Sequence, residues 1–286
     1  MNIKRFDKIA VVSLDVTGTL INVKGTVGSH YNNIFQSHGL HFDEDNLNRN
    51  FLKCFKEKSK GSPSFGSFDV NTVSSGETWW SELVKSVIVT STMERHDANH
   101  VERDRQLAII DRLPPSVYSD LYHRFGGDLA RQSNVDGVVS TSTDNIHDYW
   151  YLYPEVKDTL EYLRANKKLL TIISNFDERV HTILRLLGIA DYFKTSDGKS
   201  LITTSIDTGY SKPHQAIFQS HLDMIRQVDP SITKDQVLYV GDKVDKDLEG
   251  SSSFGFKSLL IDRKNRHQDI PQQSRISTLA DLKTML

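Results

Sequence analysis

Ile9-Ala10-Val11-Val12-Ser13-Leu14-Asp15-Val16-Thr17-Gly18-Thr19-Leu20 joins the pattern of a buried strand to a polar turn. A carboxylate just past the carboxyl end of a buried strand, with a glycine turn behind it, stands where open α/β sheets place their ligands. Two more runs end the same way. Leu169-Leu170-Thr171-Ile172-Ile173 delivers Ser174-Asn175, and Val237-Leu238-Tyr239-Val240 delivers Gly241-Asp242-Lys243-Val244-Asp245-Lys246-Asp247. Between them, Gly209-Tyr210-Ser211-Lys212-Pro213 precedes helical spacing at Ile217, Phe218, Leu222 and Ile225. Alone, an aspartate after a strand is a helix cap or a solvated turn, and Ser211-Lys212-Pro213 is an ordinary helix start. Four such stretches at run ends and a helix start read as one site.

The spacing between them sets the architecture. About 150 residues separate the first stretch from the second, whereas the last three fall within about 75. The long gap shows helical spacing at Leu47, Phe51, Leu52 and Phe55, at Trp80, Leu83, Val84 and Val87, and at Val117, Leu121 and Phe125. Pro114-Pro115 fits a helix start. Residues 22–145 therefore read as an all-helical insert, and residues 1–21 with 146–286 as the core. Core strands are expected at 9–15, 169–175, 201–205, 237–242 and 257–262, with helices near 155–166, 178–188 and 213–228. Strands alternating with helices imply βαβ units, an α/β fold with a Rossmann-like parallel sheet. Right-handed crossovers with a switch point beside the first strand imply the order 3-2-1-4-5. That order brings Asp15, Ser174 and Asp242 to one sheet edge. An insert leaving right after Asp15 is expected to act as a cap over it.

Composition narrows the function classes. At 286 residues the chain suits a core plus an insert. With 35 basic and 37 acidic residues the formal charge is −2, so nothing argues for a nucleic-acid or membrane surface. The single cysteine, Cys54, leaves no intramolecular disulfide and reads as a packed thiol. The charged amino terminus lacks a signal-peptide pattern, and no run approaches the ~18 apolar residues of a membrane span. The expectation is a soluble cytoplasmic protein, with the nucleus also open to it.

The stretches at 15–20, 174, 212 and 242–247 together resemble, in order, the motifs of the haloacid dehalogenase-like hydrolases. Trp79-Trp80, Tyr153-Pro154-Glu155-Val156, Ser174-Asn175-Phe176-Asp177-Glu178-Arg179 and the triplet Asp15-Val16-Thr17 narrow the resemblance. They are similar to the branch holding the domain-containing protein 3 and rhythmically-expressed-gene-2-like members. The resemblance implies a magnesium-dependent hydrolase acting on a small phosphorylated substrate. Asp15 would be the nucleophile, Ser174 a phosphoryl-binding hydroxyl and Lys212 the neutralising cation. Mg2+, which prefers oxygen ligands, would be held by Asp15, Asp242 and the backbone carbonyl of Thr17. Asp247 would hold a metal-bound water or position Lys212, with Asp245 a surface carboxylate. Gly18, Thr19 and Asn175 complete the expected phosphate site, Gly18 by close backbone approach and Thr19 by capping or orienting the turn. Pro213 is expected at the first position of its helix.

One letter departs from the family. Its second motif-one aspartate, the general acid/base, is Thr17 here, and a hydroxyl cannot serve that role near neutral pH. Positioned proton transfer is typically worth ~10²–10⁴-fold. Three readings stay open. One is a slow phosphohydrolase, or one whose leaving group needs no proton, as in the similar Asp-x-Thr-Gly-Thr motif of P-type ATPases. The second is a phosphate-binding protein with weak or no catalysis. The third is carbon–halogen or carbon–phosphorus cleavage. The Asp242/Asp247 pair counts against the first of these, which needs no magnesium. The second needs an insert lysine, for which Lys53, Lys56, Lys58, Lys60 and Lys85 are candidates that nothing singles out. Elsewhere Trp79 and Trp80 read as insert core rather than a stacking platform. Ser62-Pro63-Ser64-Phe65-Gly66 is a substrate-facing loop or an exposed connector. His30, His38, His96 and His100 lack metal-ligand spacing, and 127–148 and 196–200 read as loop insertions.

Overall fold

The computed structural model describes residues 6, 8–67, 75–95, 99–127, 134–135, 138–139 and 145–286. His96 and most of the 127–148 stretch lie outside these. The chain divides into two compact units, residues 1–22 with 151–286 and residues 23–150.

The first unit is built on a parallel six-stranded sheet. Its strands are β1 (Val11–Leu14), β2 (Leu169–Ser174), β3 (Ile202–Thr204), β4 (Val237–Gly241), β5 (Lys257–Ile261) and β6 (Arg275–Ile276). They lie in the order β6-β5-β4-β1-β2-β3, so a sixth strand follows the five that the sequence suggests. β1 sits between β2 and β4, with Leu14 opposite both Ile172 and Val240. All four β1 residues are buried, as a central parallel strand covered on both faces must be. Each fully buried Val or Leu contributes roughly 1.5–3 kcal/mol.

Helices Val156–Ala165, Arg179–Leu186 and Gln215–Val228 provide the crossovers. The third turns Ile217, Phe218, Leu222 and Ile225 into a core with Val11, Ile173, Val237, Tyr239, Phe254 and Phe256. Phe218 meets the Tyr239 ring edge-on at 6.0 Å and stacks on Phe254 at 5.9 Å. Phe218→Ala would leave a cavity costing about 3–5 kcal/mol. This helix starts at Gln215, with the His214 ring accepting from Ala216 N–H as its cap. Pro213 therefore precedes the cap instead of occupying the first helical position.

The second unit packs helices Val27–Gln36, Glu44–Gly61, Gly76–Met93, His100–Arg112 and Pro115–Gly126. Pro115 opens the last, as its fixed φ and missing N–H favour. The unit is not all helical, for Asn134–Val135 pairs antiparallel with Val138–Val139. Ile146–Trp150 group with this unit and not with the core. Trp150 Nε1–H donates to the Phe125 carbonyl at 2.8 Å, and Tyr149 packs edge-on against Phe125 at 5.1 Å. Leu52 leaves the expected apolar face and is 68% exposed, because five residues from Leu47 carries it round the helix. Trp79 is buried and Trp80 half-buried.

Pro63–Gly66 is no exposed connector. Ser64 and Phe65 are buried in the left-handed region (φ 52° and 58°), with Phe65 edge-on to Trp79 at 5.1 Å. Cys54 is buried with its Sγ 3.7 Å from Thr90 Oγ1. No described helix is long and apolar enough to cross a membrane.

Candidate active site

Flush strand ends assemble the site. β1, β2 and β4 are in register at Leu14, Ile172 and Val240, so Asp15, Ser174 and Asp242, one or two residues further along each strand, come to the same end of the sheet. Asp15 N–H donates to the Val240 carbonyl at 2.9 Å, which pins the nucleophile candidate to the neighbouring strand. Ser174 Oγ–H donates to Asp15 Oδ1 at 3.0 Å. The turn after Asp15 folds back on itself, with Leu20 and Ile21 N–H both reaching the Val16 carbonyl. Gly18 sits in it at φ +83°, and a Cβ there would fall 2.6 Å from Asp242 Oδ2. The backbone therefore rests directly on that carboxylate, an approach only glycine permits.

Lys212 is the centre of the arrangement. Its buried ammonium donates to Asp15 Oδ1, Asp247 Oδ1 and the Tyr239 hydroxyl, each at 2.7 Å, with the Ile173 carbonyl at 3.3 Å. Three short acceptors match its three N–H groups. Burial pushes the ammonium toward its neutral form, but Asp15 and Asp247 outweigh that and raise its pKa. Burial pushes the Asp15 carboxyl up to about 6; Lys212 pulls it back, while Asp247 and Asp242 push it higher. Burial, then Asp247 and Asp15, keep the Tyr239 phenol neutral, and it donates to Asp247 Oδ1 (3.0 Å) or the Ile173 carbonyl (3.1 Å).

Asp247 reaches the site through a widened helical turn. Both Asp247 and Leu248 N–H bond the Lys243 carbonyl, an i→i+5 step of the kind that recurs at functional sites. Its Oδ2 accepts the Lys243 N–H at 2.9 Å, so both carboxylate oxygens are engaged. Asp245 is exposed on the same turn. Lys243 Nζ pairs with Asp242 Oδ2 at 2.7 Å.

Two expected roles change. Asn175 spends its amide on the Lys212 main chain, accepting the N–H at 2.7 Å and donating to the carbonyl at 3.0 Å. It orients the lysine loop, a role beyond the phosphate contact expected of it. Thr19 does not cap the turn, since its hydroxyl is fully enclosed without a hydrogen-bond partner. Thr17 is half-buried and bridges to Ile21 through its backbone. Nothing in the local sequence pattern points to Lys243 or Arg263 as part of the site. Tyr239 left one signal there: a hydroxyl inside an apolar strand run must find a buried partner.

Carboxylate oxygens of Asp15, Asp242 and Asp247 lie within 4.8 Å of one another, the one such acidic cluster among the described residues. An all-oxygen donor set suits a hard divalent cation. Three carboxylates against two lysines leave one net negative charge for a cation to offset. The residues thus fit the magnesium that the motifs imply.

The family model of the haloacid dehalogenase-like hydrolases matches residues 9–255. The chain belongs to that family. It is 27% identical to haloacid dehalogenase-like hydrolase domain-containing protein 3 of Danio rerio, across 95% of this chain and 94% of that protein. The rhythmically expressed gene 2 protein of Drosophila melanogaster is 20% identical over 92% and 86%. Among solved structures, a dehalogenase superposes with a TM-score of 0.59 at 17% identity, covering 98% of both chains. A HAD phosphatase from Thermococcus onnurineus gives 0.52 at 17% identity over 97% of both. These likenesses establish a shared hydrolase fold.

Proposed function

We propose that this hydrolase is a magnesium-dependent phosphohydrolase that works through an aspartyl phosphate on Asp15, with a restricted choice of leaving group. The observation that carries the reading is the buried Lys212 ammonium joined at 2.7 Å to both Asp15 and Asp247. Such a pair costs stability to bury and suits a site that must accept an anion beside a carboxylate nucleophile.

Mg2+, held by Asp15, Asp242 and the Thr17 carbonyl, would supply charge neutralisation between nucleophile and phosphoryl oxygens. The chain's own residues do the rest. Asp15 attacks phosphorus, the bond to the leaving oxygen breaks, and that oxygen departs with the electron pair. Lys212 and the Ser174 hydroxyl exchange a contact with Asp15 for one with the transferred group. Asp247, Tyr239 and Asn175 keep Lys212 in place during that exchange. Water then attacks the phosphorus, the bond to the Asp15 oxygen breaks, and inorganic phosphate leaves with Asp15 restored and a proton passed to solvent.

Thr17 decides which substrates turn over. An alkoxide leaving group needs a proton that Thr17 cannot give, whereas an acyl phosphate or aryl phosphate needs none. The test is a panel of alkyl, aryl and acyl phosphates with and without Mg2+, scored for turnover and for labelled Asp15. Magnesium-dependent turnover of the activated esters with labelling of Asp15 supports the reading. Neither turnover nor label on any of them sinks it and leaves a phosphate-binding protein. Halide release from a haloacid without Mg2+ would favour dehalogenation instead.

A further inference from the structure

The turn after Asp15 has a second support outside every motif. Arg263, just past β5, donates Nε–H to the Gly18 carbonyl at 3.2 Å and Nη2–H to the Thr19 carbonyl at 2.8 Å. Its Nη1 pairs with Glu155 Oε1 at 2.7 Å, and its guanidinium lies 3.5 Å over the Tyr153 ring. Both charged side chains are more than four-fifths buried. Tyr153 in turn accepts from Asn22 Nδ2–H at 3.2 Å, and its backbone N–H bonds the Leu20 carbonyl at 3.1 Å. Tyr153-Pro154-Glu155 thus braces the arginine, and the arginine braces the turn.

The chemistry favours arginine for this task. One rigid fork serves two carbonyls and a carboxylate while its flat face stacks on a ring, which a lysine cannot reproduce. The inner N–H groups of the turn are already spent on the Val16 and Ile21 carbonyls. The Gly18 and Thr19 carbonyls are what Arg263 holds. The Asp242 carboxylate occupies the space that a Cβ on Gly18 would need. The turn is thus held by Arg263 and closes on the Asp242 carboxylate with no room for a Cβ between them.

Resting on the phosphohydrolase reading, we infer that Arg263 is a positioning residue that sets the spacing between the Asp15–Thr17 turn and Asp242, with Glu155 and Tyr153 holding Arg263 in register. It touches no reacting atom and acts through the backbone that presents Asp15 and the Thr17 carbonyl. Misplacement by about 1 Å at a reacting centre can cost ~10²-fold.

The test needs no known substrate. Beryllium fluoride binds an ionised carboxylate beside Mg2+ as a phosphoryl mimic, and its affinity is read from thermal stabilisation of the full chain across a concentration series. Arg263→Lys should weaken the Mg2+–beryllium fluoride response ~10–100-fold while keeping the charge. Glu155→Gln, which keeps shape and loses the ion pair, should give a smaller loss in the same direction. Arg164→Lys, at an arginine stacked 4.5 Å over Tyr192 elsewhere in the unit, should leave the response unchanged. A wild-type affinity in both Arg263→Lys and Glu155→Gln overturns the inference; so does a wild-type affinity in Glu155→Gln when Arg263→Lys does not fold. No response in the wild-type chain overturns the phosphohydrolase reading and this inference with it.

Discussion

Ser13 and Asp15 point to the same face of one strand direction, yet they anchor two buried polar networks of opposite character. In mid-sheet, the hydroxyls of Ser13, Thr171 and Thr203 surround His221, at 2.9 and 3.0 Å from Nε2 and 2.9 Å from Nδ1. At the strand end, Asp15, Asp247 and Tyr239 surround Lys212. The first network is neutral, with both ring nitrogens engaged, and it ties β1, β2 and β3 to helix Gln215–Val228. The second is charged and carries more carboxylates than lysines. A network that closes on itself specifies packing; one left with charge to spare suits a ligand.

The sharpest way to break the comparison is to remove the charge at the strand end. Asp15→Asn keeps size and polarity but loses the nucleophile, and turnover of activated phosphates should fall below detection in protein free of host phosphatase. Retained turnover above a few per cent would place the nucleophile elsewhere. Lys212→Ala should cost about 10²–10³-fold in kcat, because one preorganised charge disappears from a water-poor site. Circular dichroism should show the parent fold in both, with Lys212→Ala the less stable because Asp15 and Asp247 lose their buried cation.

A gain of function comes next in size. Thr17→Asp restores the carboxylate that the family places there, so turnover of alkyl phosphates should rise by ~10-fold or more, toward the ~10²–10⁴-fold worth of general acid/base catalysis. Aryl phosphates should gain less in the first step, and trapped phosphoenzyme should decline because the new carboxylate also activates water. A folded, magnesium-binding Thr17→Asp chain with no gain on either class would remove the argument from Thr17.

The two networks also differ in how far the sequence reveals them. Asp15, Ser174, Lys212, Asp242 and Asp247 are legible because each sits at a fixed offset from an apolar run, and strand ends in a parallel sheet converge. The strands themselves are legible for the same reason, to within a residue or two. Tyr239 and His221 are hidden, because a polar residue inside an apolar pattern does not announce its partner. Arg263 is hidden more deeply: it meets Gly18 across almost the whole chain length, and no local spacing encodes such a contact. Asn175 is visible at the end of its strand, but the Lys212 main chain that its amide takes as partner is not. In the helical unit Leu52 shows the limit of apolar periodicity, where one turn too many residues count as one face.

The smallest effect tests the neutral network through pH. Burial pushes the His221 imidazole down to about 3, from an ordinary value near 6.5. Above about 6.5 the ring is neutral in both folded and unfolded chains and contributes nothing to pH dependence. As pH falls below that, the unfolded chain takes up a proton that the folded chain refuses. Stability should then drop, by at most about 1.4 kcal/mol per pH unit, until the folded site titrates near 3. His221→Gln keeps polar atoms for the hydroxyls but removes the titration. At neutral pH it should be less stable than wild type by about 1–3 kcal/mol, the usual cost of disturbing a satisfied buried network. Urea unfolding at stepped pH between 7 and 4 should then show the gap between the two closing, because the wild type alone carries the unfavourable proton uptake. Taking the difference between the chains cancels the carboxylates at the strand end, which titrate in both. A gap that stays constant with pH would mean His221 protonates normally in the folded protein, and the mid-sheet network would then be open to charge as the strand-end network is.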